Sequence, residues 1–76
     1  MEIEMLPVDS TNLESVGYDG IAQKLRVLFK SGQLFEYSQL PANVFDDMMH
    51  SPSPGKFFAD QIAKRGSAKY PFARIS

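Results

Sequence analysis

The chain has 76 residues, a length that supports one small domain. Eight lysines and arginines against nine aspartates and glutamates give a net charge of −1, so no overall positive field marks a nucleic-acid or membrane binder. The absence of cysteine excludes disulfides, thiolate zinc ligands and thiol catalysis, and it is typical of a reducing compartment. No apolar run approaches about 18 residues, and residues 1–4 are acidic where a signal peptide is basic. We therefore expect a cytoplasmic protein whose residues 1–76 form a single domain without membrane contact.

The clearest strand pattern lies in the middle of the chain. From Lys24 to Lys30 apolar residues alternate with mainly basic ones, and a second alternating run follows Gly32. Two such runs around a glycine predict a β-hairpin. A three-residue loop, with Gly32 in the left-handed conformation, aligns the apolar faces of the two strands, whereas a two-residue loop does not. The predicted cross-strand pairs are Val27 with Phe35, Leu25 with Tyr37, and Arg26 with Glu36.

The segment before the hairpin predicts one further strand. Residues 12–18 alternate less cleanly and end at Asp19-Gly20, a turn signal, so we expect a third antiparallel strand. Residues 1–11 are consistent with either an arm or a short edge strand.

The segment after the hairpin predicts two helices. Pro41 and the apolar spacing of residues 44–49 predict a first helix over residues 42–50. Ser53 followed by Pro54 predicts the capped start of a second helix, which Gly66 would end. Residues 70–75 are expected to form an extended tail that packs back. The predicted fold is α+β, a three-stranded antiparallel β-meander followed by two short helices packed on one face.

The order and spacing of particular residues along the chain carry a family resemblance. These residues are Val8, Ser15, Tyr18, Leu25, Val27, Phe29, Gly32, Phe35, Tyr37, Pro41, Ser53, Gly55, Phe57, Phe58, Ile62 and Tyr70. From about residue 8 to residue 75 the pattern resembles the KTSC domain, named for a segment at the C-terminus of some lysyl-tRNA synthetases and also found as stand-alone bacterial proteins of unassigned function. The family's central Tyr-x-Tyr is here Phe35-Glu36-Tyr37, which lacks the first hydroxyl. The synthetase link implies a role in RNA binding.

The start of the second predicted helix is a candidate site for an anion. Ser53, Gly55 and Lys56 would combine the free N–H groups of a helix start with a positive side chain, which suits a phosphate or a carboxylate. The other interpretation is that Ser53 only caps the helix and Lys56 is solvated. Gly55-Lys56 lacks the earlier glycine and the following serine or threonine of a phosphate-binding loop.

Charge is divided unevenly along the chain. Residues 1–50 carry eight acidic and three basic residues, whereas residues 51–76 carry five basic residues and one acidic residue. The two parts can attract each other in the folded domain, or the basic part can face an anionic partner. If the tail folds beside the second helix, one basic patch for RNA would use Lys56, Lys64, Arg65, Lys69 and Arg74. The alternative is that these side chains are scattered and solvated.

Two apolar pairs have both a structural and a functional interpretation. Phe35 and Tyr37 would stack on RNA bases if exposed, or pack in the core because they share the apolar face of the hairpin. Leu28 and Leu34 face each other on the opposite, mainly polar face. That pair predicts cover by residues 1–11, a homodimer or a partner protein, unless a small exposed patch is simply tolerated. The oligomeric state stays open.

Catalysis has little support in the sequence. His50 is the only histidine, and its place near the end of the first predicted helix suits contact with the last carbonyls. Asp46 and Asp47 are adjacent, so on a helix they point about 100° apart and cannot share a proton. We expect no enzyme, no metal and no cofactor. The expected function is a non-enzymatic binding module for RNA, such as tRNA, or another anionic partner. A protein–protein interaction module that uses the hairpin face is the alternative.

Overall fold

The computed structural model describes residues 3–63 and 70–75. The elements are β1 (Leu6–Pro7), β2 (Leu13–Asp19), β3 (Lys24–Phe29), β4 (Leu34–Tyr37), α1 (Ala42–His50), α2 (Pro54–Phe57), a π-helical segment (Phe58–Ile62) and β5 (Phe72–Arg74). Within these ranges the strands form one five-stranded sheet in chain order, with every neighbouring pair antiparallel.

The predicted α+β class is confirmed, but the sheet has five strands rather than three. The additional strands, β1 and β5, have two and three residues and form the two edges of the sheet. Strands this short contain too few residues to show an alternating pattern. Pro7 is tolerated in β1 because one side of an edge strand has no neighbouring strand that needs its N–H donor. Pairing with neighbours, rather than local sequence, therefore makes these two segments extended.

The central hairpin has the register that the sequence predicts. All three predicted cross-strand pairs are present. The Phe29 N–H donates to the Gln33 carbonyl at 2.9 Å, which closes the loop, and Gly32 has a φ of 96° in the left-handed region. Only this register places both apolar sets of side chains on one face, since a shift of one residue would turn one strand over.

One face of the sheet is covered by the helices and holds the core. The fully buried side chains come from β2, β3, the β4–α1 loop, α1 and the π-helical segment: Leu13, Val16, Leu25, Val27, Leu40, Met48 and Ile62. Tyr18 ties the sheet to α1, because its ring stacks on Phe45 with centroids 4.9 Å apart and its hydroxyl donates to the Leu40 carbonyl at 2.5 Å. Burial of this apolar face against α1 and the π-helical segment is the main source of stability.

The second helix differs from the prediction. α1 has the predicted bounds, and α2 begins at Pro54 with Ser53 at the N-cap position, as predicted. The Ser53 side chain makes no capping hydrogen bond to α2, so the predicted side-chain cap is wrong. The Ser53 backbone has φ −136° and ψ 89°, and Pro54 at the first helical position leaves one donor fewer to satisfy. From Phe58 the helix widens, because the Ala63 N–H donates to the Phe58 carbonyl at 2.8 Å. Gly66, the predicted C-terminal cap, lies outside the described residues.

The opposite face of the sheet, called the outer face below, is partly crossed by the N-terminal segment. A Cβ atom added to Gly17 would collide with the Ile3 side chain and lie 2.6 Å from the Glu4 carbonyl oxygen. Residues 3–5 therefore lie directly over Gly17, where only a glycine leaves room. The first residues act both as an arm over the outer face and, at Leu6–Pro7, as an edge strand.

Candidate functional site

At the start of α2, Ser53 and Lys56 lie beside a shallow hollow of about 310 Å³, whereas Gly55 lines a different groove. Ser53 and Lys56 line this hollow, but so does Asp60, one turn further along the helix. That carboxylate lowers the positive potential that Lys56 would offer an anion. Gly55 has a packing explanation, because a Cβ atom added there would collide with the Ser10 hydroxyl. The geometry around α2 therefore explains the glycine without a ligand.

Two of the five predicted basic residues lie in the part of the chain that the structure describes, and they belong to different elements. Lys56 is exposed on α2, and Arg74 is exposed on the edge strand β5. Lys64, Arg65 and Lys69 lie outside the described residues. A single basic patch formed by all five therefore stays a prediction.

Leu28 and Leu34 are paired across the hairpin on the outer face, as predicted. They are half-buried, and their contact with a partner protein or a second copy stays a prediction. The neighbouring strands account for this partial burial, because Ser15 pairs with Leu28 and the Ile75 N–H donates to the Leu34 carbonyl at 2.8 Å. β2 and the segment after β5 thus flank the two leucines and reduce the surface they can offer a partner.

The most exposed aromatic residue of the sheet is Phe72 on β5, and sequence reasoning missed it. Its side chain is 51% exposed, its ring stacks on Tyr37 with centroids 5.4 Å apart at 26°, and it lies 6.2 Å from the Phe35 ring. Arg74, on the same strand as Phe72, pairs in register with Phe35 of β4. We call Phe35, Phe72 and Arg74 the aromatic edge. The weak alternation of aromatic and basic residues at positions 70, 72 and 74 is the sequence signal that indicates it.

Tyr37, one of the two aromatic residues considered for base stacking, belongs to the core. It is 5% exposed, held between Phe72 and the edge-on ring of Phe58, whose centroid is 5.3 Å away. Burial raises the pKa of its hydroxyl above the ordinary tyrosine value. Phe35 is half-buried beside it. The helices therefore cover the sheet fully at Tyr37, and their cover ends at Phe72.

The groups considered for catalysis form a local contact at the end of α1. The His50 Nδ1 atom lies 2.8 Å from the Asp46 carbonyl oxygen and 3.5 Å from the Asp46 carboxylate. Asp47 is exposed beside them. Over residues 3–63 and 70–75, no group of three or more histidines and acidic residues is placed to hold a metal ion. No helix in the same ranges is long and apolar enough to cross a membrane.

Comparison with known proteins places this geometry in a family. A solved KTSC domain protein from Yersinia pestis matches with a TM-score of 0.83 and 28% identity, over 99% of this chain and 100% of that chain. An uncharacterised protein of Stutzerimonas stutzeri is 32% identical over 68 residues, which are 90% of this chain and 94% of that protein. A protein of Tsukamurella paurometabola is 40% identical over 53 residues, 70% of this chain and 79% of its own length.

A larger protein also matches. The lysine–tRNA ligase of Nostoc punctiforme is 28% identical over 72 residues, which are 95% of this chain but 12% of that enzyme. The domain therefore corresponds to a small part of the ligase and to most of the two short relatives. The family model of the KTSC domain matches residues 9–65, within the region where the sequence pattern resembles it. The chain belongs to the KTSC domain family.

Proposed function

We propose that the domain is a non-catalytic module that binds RNA through its aromatic edge. The observation that carries this proposal is the ring of Phe72, which is 51% exposed at the edge of the sheet. It is held in place by stacking on Tyr37. A ring fixed on one side and open on the other offers a face on which an unpaired base can stack.

Charge near this ring supports a nucleic acid as the ligand. Arg74 is exposed two residues after Phe72. Residues 51–76 carry five basic residues and one acidic residue in the sequence, and of the basic ones Lys56 and Arg74 lie within the described residues. An arginine beside a stacking ring can pair with a phosphate while the base lies on the ring. The similarity to part of a lysine–tRNA ligase makes RNA, and tRNA in particular, the first ligand to test.

The absence of catalysis is part of the same proposal. His50 contacts the Asp46 carbonyl oxygen at the exposed end of α1, and no described serine or threonine forms a hydrogen bond with it. A nucleophile and a base must lie within hydrogen-bond reach to work together. We therefore expect the domain to hold RNA without changing it.

A protein contact through Leu28 and Leu34 is the alternative function. It has less support because both leucines are half-buried and lie next to the charged Arg26 and Glu36 pair. A partner there would gain little apolar surface and would have to desolvate charges. The substitution Leu28→Lys should abolish such a contact and leave RNA binding unchanged.

The experiment is an amide NMR titration with tRNA and with a short single-stranded oligouridylate, at about 50 and 200 mM salt. Shifts should concentrate at Phe72, Ala73 and Arg74 and should weaken as the salt concentration rises, because phosphate contacts release counterions. A spectrum that does not change with either RNA at the lower salt concentration would overturn the proposal.

Matched variants separate stacking from charge. Phe72→Ala should weaken oligouridylate binding by about 1–3 kcal/mol, whereas Ile21→Ala, which truncates a residue 88% exposed in a turn, should not. Arg74→Gln should reduce the slope of log binding constant against log salt concentration by about 0.7. Lys30→Gln, in the hairpin loop, should leave this slope unchanged. The double variant Lys64→Glu, Arg65→Glu tests whether RNA binding uses the basic residues that only the sequence predicts. Equal affinities for Phe72→Ala and Ile21→Ala would contradict the assignment of the site.

A further inference from the structure

A groove of about 550 Å³ lies on the helix-covered side of the sheet, between the β3–β4 hairpin and the second helix. Its apolar wall consists of Leu13, Phe29, Phe58, Ala59 and Ala63. Asn12 and Tyr37 bring polar groups to the same groove, and none of the described residues that line it is charged. This combination of an apolar wall and a few polar groups is typical of a site for a small organic group.

The Tyr37 hydroxyl is the feature of this groove that points to a ligand. Tyr37 is 5% exposed, and no residue within 3–63 or 70–75 forms a hydrogen bond with its hydroxyl. No buried side-chain oxygen or nitrogen of the described residues lacks a partner, so the hydroxyl itself reaches the surface, where Tyr37 lines the groove. The phenol of Tyr18, by contrast, donates to the Leu40 carbonyl. A ligand in the groove can therefore form a hydrogen bond with the Tyr37 oxygen without breaking one inside the protein. Asn12 is exposed, and its side-chain amide makes no hydrogen bond to a described residue, so it too is accessible from the groove.

We propose that this groove receives one unstacked base of the bound RNA. This inference rests on the proposed RNA binding, and it identifies the groove as the place where one base of that RNA is bound. Phe29 and Phe58 supply aromatic surface, and the Asn12 amide and the Tyr37 hydroxyl supply hydrogen bonds to the edge of the base. Tyr37 also supports the ring of Phe72, so the groove and the aromatic edge meet at one residue.

A neutral base suits this groove better than a charged group does. The described lining has no charge to pair with a phosphate or an ammonium ion, and burying an unpaired charge is costly. The basic residues follow the lining residues in the chain, since Lys56 is next to Gly55 and Lys64 is next to Ala63. The wall at Phe58 and Ala59 belongs to the π-helical segment, a rare conformation that is frequent at functional sites.

The test uses uncharged nucleosides, because they bind without phosphate contacts. Uridine, cytidine, adenosine and guanosine are titrated separately into the methyl-labelled domain at high salt. At least one nucleoside should shift the methyl signals of Leu13, Ala59 and Ala63, and the shift should not depend on salt. If none of the four nucleosides shifts these signals, the groove is not a base site.

Two variants with controls locate the contact. Tyr37→Phe removes only the hydroxyl and should weaken nucleoside and oligouridylate binding about three- to tenfold. Ala59→Leu should fill the groove and weaken both at least tenfold. Gln61→Leu, also exposed on the π-helical segment but outside the groove lining, should have no effect. Melting temperatures show whether each variant is folded. If Tyr37→Phe is unstable, Asn12→Ala replaces it, because it removes the other proposed hydrogen bond to the base and should also weaken binding.

The outcomes separate the two proposals. Oligouridylate binding that depends on Phe72 but not on Tyr37 or Ala59 would overturn the base pocket and leave the RNA function standing. Nucleoside binding in the groove without any binding of oligouridylate or tRNA would overturn the RNA function and identify a small-molecule site.

Discussion

The two faces of the sheet have different compositions and different roles. The helix-covered face presents Leu25 and Val27, both fully buried, to α1 and the π-helical segment. On the outer face Glu36 pairs with Arg26 at 2.9 Å and Lys24 at 3.5 Å. Burial of the first face supplies most of the folding free energy, whereas the charged pairs of the second are worth little individually and help to specify register.

The comparison also explains where a ligand can bind. Exposure on the helix-covered face rises from 5% at Tyr37 to 51% at Phe72, toward the edge strand β5. The aromatic character of the face continues beyond the reach of the helices. Exposed aromatic surface therefore arises at the end of the core, as a consequence of how far the helices extend.

The largest expected difference between the two faces is in the free energy of unfolding after a leucine truncation on each face. Leu25→Ala should lower the free energy of unfolding by about 2–5 kcal/mol, because it leaves a cavity in a fully buried position. Leu34→Ala, on the half-buried outer face, should cost about 1 kcal/mol. Urea denaturation measures both, and equal losses would show that the faces do not differ as described.

The hairpin loop that joins β3 and β4 gives the next largest effect. Gly32→Ala should cost about 1–2 kcal/mol, because its φ of 96° strains any residue with a Cβ atom. No atom lies within 4 Å of that added Cβ, so the loss would come from the backbone alone. Gly20→Ala is the control, since its Cβ would make only an ordinary contact with Tyr18 at 3.7 Å. If Gly20→Ala is as costly as Gly32→Ala, the left-handed turn is not what fixes the register.

The smallest effect concerns the ion pairs of the outer face. The hydrogen bond from Arg26 and the charges of Lys24 and Arg26 hold the pKa of Glu36 below its ordinary value, against the opposing effect of burial. A lowered pKa in the folded state contributes stability above the unfolded pKa of about 4.3, and this contribution is lost as the pH falls through the folded pKa.

Glu36→Gln should therefore cost about 0.5–1 kcal/mol at neutral pH and almost nothing near pH 2, because Arg26 and Lys24 are partly exposed. Denaturation curves at several pH values measure this difference, with exposed Glu14→Gln as the control. A cost for Glu36→Gln that stays constant down to the lowest pH would show that the charge of Glu36 is not responsible.

The features predicted most accurately from the sequence are those set by residues close together along the chain. The hairpin register follows from alternation together with one left-handed glycine, and both are visible in residues 24–37. α1 follows from a proline start, an apolar stripe and a following proline. The π-helical segment left no such signal, because an extra residue in a helical turn is decided by how Phe58 and Ile62 pack.

The candidate site was less accessible to sequence reasoning. The charge pattern of the sequence singled out Arg74 and the other basic residues of the C-terminal part as candidates. Phe72 was not singled out, because a three-residue strand carries almost no alternating pattern. The sequence did not reveal the packing contact of Gly55, since it is with Ser10, 45 positions earlier in the chain, and the role of Gly55 in anion binding stays a prediction.

The sequence by itself determined the α+β class, the hairpin and its register, the first helix and the family, because each depends on short-range periodicity or on the order of residues along the chain. The tertiary structure decided the two edge strands, the cover of Gly17 by the N-terminal segment, the exposure of Phe72 and the groove at Tyr37. These features depend on where separate segments meet, and contacts between distant residues leave no periodic trace in the segments that make them.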